Sequence, residues 1–160
     1  ASEYIRFGHD TETFKANMDY LVNECPEIIP TMNWTVSSLS IPYTADLIKQ
    51  VIEWNKTRYV SVNYNKCVDP AIFDPHIFPE GTFSEHIAEI KQLNNVMYEG
   101  RGNTDTYLKF VDTMFEEVDK SPAKPELIKR LRERLTQLDS YRGTDWQETF
   151  PWLTYVGHNL

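Results

Sequence analysis

At 160 residues, 41% of them hydrophobic and 13% aromatic, the chain is long enough for one domain with a real core and too apolar to be disordered. Its formal charge of −8 argues against a general nucleic-acid binder, which needs a basic face, and against docking on an anionic membrane. No apolar run approaches the ~20 residues that span a bilayer and no signal peptide is expected; two lone, well-separated cysteines, Cys25 and Cys67, suit a reduced cytoplasmic setting.

Asp10 and Thr11 predict an N-cap, followed by the helical spacing of Phe14, Met18, Leu21, Val22 and Cys25 and stopped by Pro26. From Thr31 the sequence alternates: Met32, Trp34 and Val36 on one side, Asn33, Thr35 and Ser37 on the other, which predicts a strand. Pro42 and Thr44 introduce a second helix with Leu47, Ile48, Val51 and Ile52 inward. "RYVSVNYN", residues 58–65, reads as a second strand. Helix, strand, helix, strand with connectors this long predicts a parallel α/β layer rather than a hairpin.

After Tyr64 the character changes. Pro70, Pro75 and Pro79 forbid a regular element, so residues 67–82 read as an ordered proline-rich loop. Thr82 to Glu85 has capping-box form and opens a helix with Phe83, Ile87, Ile90, Leu93 and Met97 inward, ended by Gly100 and Gly102. Thr104 starts the next, with Leu108, Val111, Phe115 and Val118 inward. Leu127, Ile128, Leu131, Leu135 and Leu138 stripe a third, whose Lys129, Arg130, Arg132 and Arg134 read as a solvated face. Gly143 predicts a break, and Thr144 with Gln147 a second capping box. The aromatic ending, Trp146, Phe150, Trp152 and Tyr155, needs an apolar surface to dock on. The α/β portion covers residues 1–66 and the helical region 83–160.

Two parallel strands flanked by helices have open edges and both faces to cover, so the pattern reads as the second half of a barrel or open sheet whose first half is absent. Ala1 is no initiator methionine, and the chain is expected to be processed or part of something longer.

In order, "EYIRFGHDTETFKANMDYL", "NWTVSSLS", "VDPAIFDPHIFP" and "YRGTDWQETFPWL" resemble the C-terminal half of a radical S-adenosylmethionine protein of the twitch-domain-containing group. The resemblance spans nearly the whole chain and implies the C-terminal part of a partial (βα)6, TIM-like barrel, followed by a helical cap. Residues 31–39 resemble its fifth strand and 58–64 its sixth. It further implies that the whole protein cleaves S-adenosylmethionine reductively to a 5′-deoxyadenosyl radical, using a 4Fe–4S cluster held on a Cys-x3-Cys-x2-Cys loop. This chain lacks that motif, so neither cofactor is expected to bind it alone. The implied partners are its own N-terminal half and a peptide or small-molecule substrate.

Barrel sites lie at the C-terminal ends of strands, which points to Ser37, Ser38 and Ser40 after the first strand and to Asn63, Asn65 and Lys66 after the second. Asn33, Thr35 and Ser37 are candidate lumen-facing groups for a ligand's ribose or amino acid moiety. Arg6, just past the position of a fourth strand, offers a bidentate fork for the methionyl carboxylate of the cofactor. Two rival readings stand beside this one. The first is a stand-alone α/β interaction module using its aromatic C-terminus and open sheet edge. The second is a metal-dependent hydrolase built on Cys67, Asp69, Asp74, His76, Glu80 and His86, whose spacing matches no common metal motif.

Overall fold

The computed structural model of the protein describes residues 1–101 and 104–156. In chain order these residues form α1 (Ser2–Ile5), α2 (Thr11–Glu24), β1 (Thr31–Val36), α3 (Thr44–Asn55), β2 (Ser61–Lys66), α4 (Ser84–Tyr98), α5 (Asp105–Asp119), α6 (Pro125–Arg142), α7 (Trp146–Thr149) and α8 (Pro151–Tyr155). The fold is mixed α/β and mostly helical. Its sheet, among the described residues, is the single parallel pair β1–β2, in the register Thr31 with Ser61 through Val36 with Lys66. A parallel pair needs a crossover, and α3 supplies it.

The helices form where their apolar stripes fall. Ile48 and Val51 of α3, Ile90 of α4, Phe115 of α5 and Leu131 of α6 are fully or almost fully buried. Asp10 caps α2, its carboxylate accepting from the Glu12 and Thr13 N–H groups at 2.9 and 3.0 Å. Gly143 ends α6 in the left-handed region at φ +66°, and Gly100 follows α4 at φ +70°. Gly102, expected to help end α4, lies outside the described residues.

Strand boundaries and two caps differ from the sequence expectation. β1 stops at Val36 because Ser37–Ser40 close a turn of their own. β2 begins at Ser61 and runs on to Lys66, because the end of α3 claims what precedes it: Asn55 Oδ1 accepts the Val60 N–H at 2.8 Å. Neither capping box forms. The Thr82 hydroxyl donates to the Pro79 carbonyl at 2.6 Å, and α4 begins at Ser84. The Thr144 hydroxyl lies 2.6 Å from Asp139 Oδ1, and Asp145 caps α7 instead.

Trp146, Phe150 and Trp152 of the aromatic C-terminus dock on this same chain, while Tyr155 stays exposed. Phe150 meets Tyr4 and Tyr43 edge-on at 5.2 and 6.0 Å, and Trp152 meets Phe78 and Phe83 at 5.3 Å each. Arg132, expected on a solvated face, instead donates from its guanidinium to the Leu153 carbonyl at 2.8 Å and to that of Val156. Asp139 of α6 fastens both ends of the chain, accepting from the Tyr4 hydroxyl at 2.7 Å and the Trp146 N–H at 2.8 Å. No helix among the described residues is long and apolar enough to cross a membrane.

Candidate functional site

Alternation in β1 and β2 divides their side chains between two faces. Trp34, Val36, Val62 and Tyr64 turn toward the helices. Trp34 Nε1 donates to Thr44 Oγ1 of α3 at 3.2 Å, and the Tyr64 hydroxyl donates to Asn94 Oδ1 of α4 at 2.8 Å while its ring meets Phe115 of α5. Burial pushes the Tyr64 phenol pKa well up, so this hydroxyl stays a donor.

The opposite face carries Asn33, Thr35, Asn63 and Asn65, all exposed. Register sets them in two cross-strand rows, Asn33 beside Asn63 and Thr35 beside Asn65. The Asn63 amide donates to Asn33 Oδ1 over a long 3.4 Å, which leaves most of the four side chains' hydrogen-bonding capacity free. The result is an uncharged polar surface, rich in both donors and acceptors, on one side of the sheet.

Ser37 parts from that row. It lies just past β1 and is buried in the serine turn, where its N–H donates to Ser40 Oγ at 2.8 Å. Ser38 ties the turn to the proline-rich loop, its N–H donating to the Phe73 carbonyl at 2.8 Å and its hydroxyl to that of Ile72 at 3.1 Å. The loops at the C-terminal ends of β1 and β2 therefore hold each other, and the three serines fix that rim. Lys66 is engaged with Glu117 of α5 at 3.4 Å.

Arg6 stands apart from the polar rows. It is exposed at the end of α1, a segment fastened to α6 through Tyr4, and among the described residues no hydrogen bond or ion pair links its guanidinium to Asn33, Thr35 or Asn63. No family model, curated protein or solved structure matches the chain. The site is thus argued from its own geometry.

The metal-capable residues of the proline-rich loop do not converge. Asp74 Oδ1 lies 2.6 Å from His76 Nδ1 and accepts the His76 N–H at 2.9 Å; burial raises the Asp74 pKa, and these contacts outweigh it and hold the carboxyl below the usual range. Cys67 faces the Asp69 carbonyl at 3.6 Å, and burial pushes its thiol pKa up, away from the thiolate that a metal takes. Among the described residues no three His, Cys, Asp or Glu side chains form a metal-holding group.

Two groups beside the site had no signal in the sequence. Tyr98 and Tyr107 each donate their hydroxyl to the Val62 carbonyl, at 2.9 and 2.8 Å, and the Tyr107 oxygen accepts the Tyr64 N–H at 3.1 Å. Helical spacing places such tyrosines near a core. It does not say that their target is strand backbone.

Proposed function

We propose that the chain is the C-terminal part of a radical S-adenosylmethionine enzyme, β1 and β2 being the last two strands of a partial (βα)6 barrel and the C-terminal helices its cap. One observation supports the reading above others: the parallel sheet is packed on helices on one face and bare on the other, and the bare face is polar and uncharged at Asn33, Thr35, Asn63 and Asn65. Parallel sheets of the doubly wound kind are covered on both faces and apolar on both. A lumen that receives a polar ligand has the pattern seen here. The proposed setting is the cytoplasm, where Cys25 and Cys67 remain thiols.

On this reading Asn33, Thr35 and Asn63 hydrogen-bond the ribose or amino acid moiety of S-adenosylmethionine, or the polar part of a peptide or small-molecule substrate. Ser37 acts through the turn that sets the end of β1. Arg6 keeps the role of carboxylate partner, reaching the ligand from its own segment. A 4Fe–4S cluster of this class is held by three thiolates, and the two cysteines of this chain, one ending α2 and the other following β2, do not fit it. Cluster ligation belongs, on this proposal, to the N-terminal half, and no step of the radical chemistry is assigned to these residues.

The test begins with the reading frame upstream of the Ala1 codon, which should hold further barrel strands and a Cys-x3-Cys-x2-Cys motif. The protein encoded by that longer frame, loaded anaerobically with iron and sulfide and then reduced, should release 5′-deoxyadenosine from S-adenosylmethionine. A stop codon ahead of any such motif defeats the proposal. So does a motif-bearing, cluster-loaded protein that leaves S-adenosylmethionine intact.

A further inference from the structure

The two outer edges of the sheet are treated differently. The Ser61 N–H donates to the Pro30 carbonyl and the Cys67 N–H to that of Val36, so the even-numbered residues of β1 and the odd-numbered residues of β2 face each other. The outer edge of β2 is therefore Val62, Tyr64 and Lys66, and that of β1 is Thr31, Asn33 and Thr35. On β2 the Tyr98 and Tyr107 hydroxyls take the Val62 carbonyl and the Tyr64 N–H, so the place of a next strand is filled by side chains. On β1 only the Thr35 carbonyl has a partner among the described residues, the Ser40 hydroxyl at 3.3 Å. The N–H and C=O groups of Thr31 and Asn33 point outward with none.

An unprotected edge is a template for another strand. The usual protections are missing from this one: no charge, proline or bulge interrupts Thr31–Val36. The edge is also complementary to itself. Laid antiparallel about Asn33, two copies of β1 set Asn33 opposite Asn33 and Thr31 opposite Thr35. The pairs on the polar face are uncharged and hydrogen-bonding, and Met32 falls opposite Trp34 on the other face, so the −8 charge of each chain is not confronted at the seam.

The geometry points to a two-fold dimer of this chain, in which β1 pairs with β1 to give a four-stranded sheet and assembly stops at two copies. It stops because the pairing consumes the one open edge, and the other is sealed. The same edge would receive the preceding strand of the proposed barrel, so the dimer is a property of the chain by itself. It can stand or fall without the cofactor chemistry.

Sedimentation of the purified chain from micromolar to near-millimolar concentration tests this. A monomer–dimer equilibrium with no larger species is expected. Asn33→Pro deletes the outward N–H but none of the β1–β2 ladder groups, since edge strands tolerate proline, and should weaken the dimer at least ~10-fold. Asn33→Lys keeps every backbone group and sets two ammonium groups face to face, so it should weaken the dimer as well and guards against a folding defect in the proline variant. In the wild-type dimer the Asn33 amide should exchange with deuterium more slowly than in the monomer. A chain that stays monomeric throughout, a ladder of sizes beyond two, or a dimer equally tight in both Asn33 variants overturns the inference.

Discussion

The aromatic C-terminus and the two-stranded sheet pose the same question in the sequence, since each asks for a surface to pack on. The tail finds its surface within the chain. Trp146, Phe150 and Leu153 are buried, Trp152 sits among Phe78 and Phe83, and the Tyr43 hydroxyl donates to the Thr149 carbonyl at 2.6 Å. The sheet does not find one among the described residues: a polar face and one edge stay open. Trp146, Phe150 and Trp152 thus find their partners among these residues and Tyr155 stays exposed, while one edge of the sheet remains open. Hydrophobic burial is satisfied by any apolar surface within reach, whereas a sheet edge shielded from water is satisfied only by a strand or by polar groups placed on its backbone.

If the tail is part of the chain's own core, cutting it should cost what a core costs. Phe150→Ala removes a ring with no exposed surface that packs on Tyr4 and Tyr43, and should destabilise by ~3–5 kcal/mol in denaturant unfolding. A loss under ~1 kcal/mol, of the size seen at surface positions, would return the tail to the class of docking segments.

The sealed edge of β2 comes next. Tyr107→Phe keeps the ring but strands the Tyr64 N–H, and should cost ~1–3 kcal/mol. Deuterium exchange gives the sharper reading, because the Tyr64 amide should lose protection while the Ser61 and Asn63 amides, bonded across to β1, keep theirs. Equal loss at all three would mean that the tyrosine supports the whole strand rather than its edge.

Asp139 joins the two ends of the chain, and its effect should be smaller and dependent on pH. Burial raises its pKa, but hydrogen bonds from Thr144, Tyr4 and the Trp146 N–H outweigh that and hold it below the usual carboxylate range. Its folded pKa being lower than its unfolded one, near ~3.9, its stabilisation is fully present above that value and disappears as pH falls through the folded pKa. Asp139→Asn should cost ~1–2 kcal/mol at neutral pH. The gap between wild type and variant should hold down to about pH 5 and close in stronger acid. A gap independent of pH would assign the cost to shape rather than charge.

What could be read in advance follows from the range of each interaction. The stripes of Ile128, Leu131 and Leu135 and of Val111, Phe115 and Val118 are local periodicities, and all six side chains are buried. Alternation placed Asn33 and Thr35 on one face, and register adds Asn63 beside Asn33. Caps failed where a hydroxyl had two nearby acceptors or donors to choose from: Thr82 turned to Pro79, and Thr144 to Asp139. Arg132 was misplaced because its carbonyl partners lie on the returning tail rather than on its own helix. The seal on β2 was invisible, since Tyr107 and Val62 are 45 positions apart and no pattern within one helix refers to a distant strand.

The smallest effect on stability tests the open half of the comparison. Asn63→Ala removes an exposed side chain whose one hydrogen bond, to Asn33, is 3.4 Å long, so unfolding should shift by no more than ~0.5 kcal/mol. A polar row that does nothing for the fold is either incidental surface or is kept for a ligand. If the proposed barrel exists, the same change in a protein that carries its other strands should raise the S-adenosylmethionine or substrate Kd several-fold, because a ligand group that had been paired is left without its partner in a water-poor lumen. Were Asn63→Ala to cost ~2 kcal/mol in the isolated chain, the polar face would be part of what holds the strands together. The open face would then need no ligand to explain it.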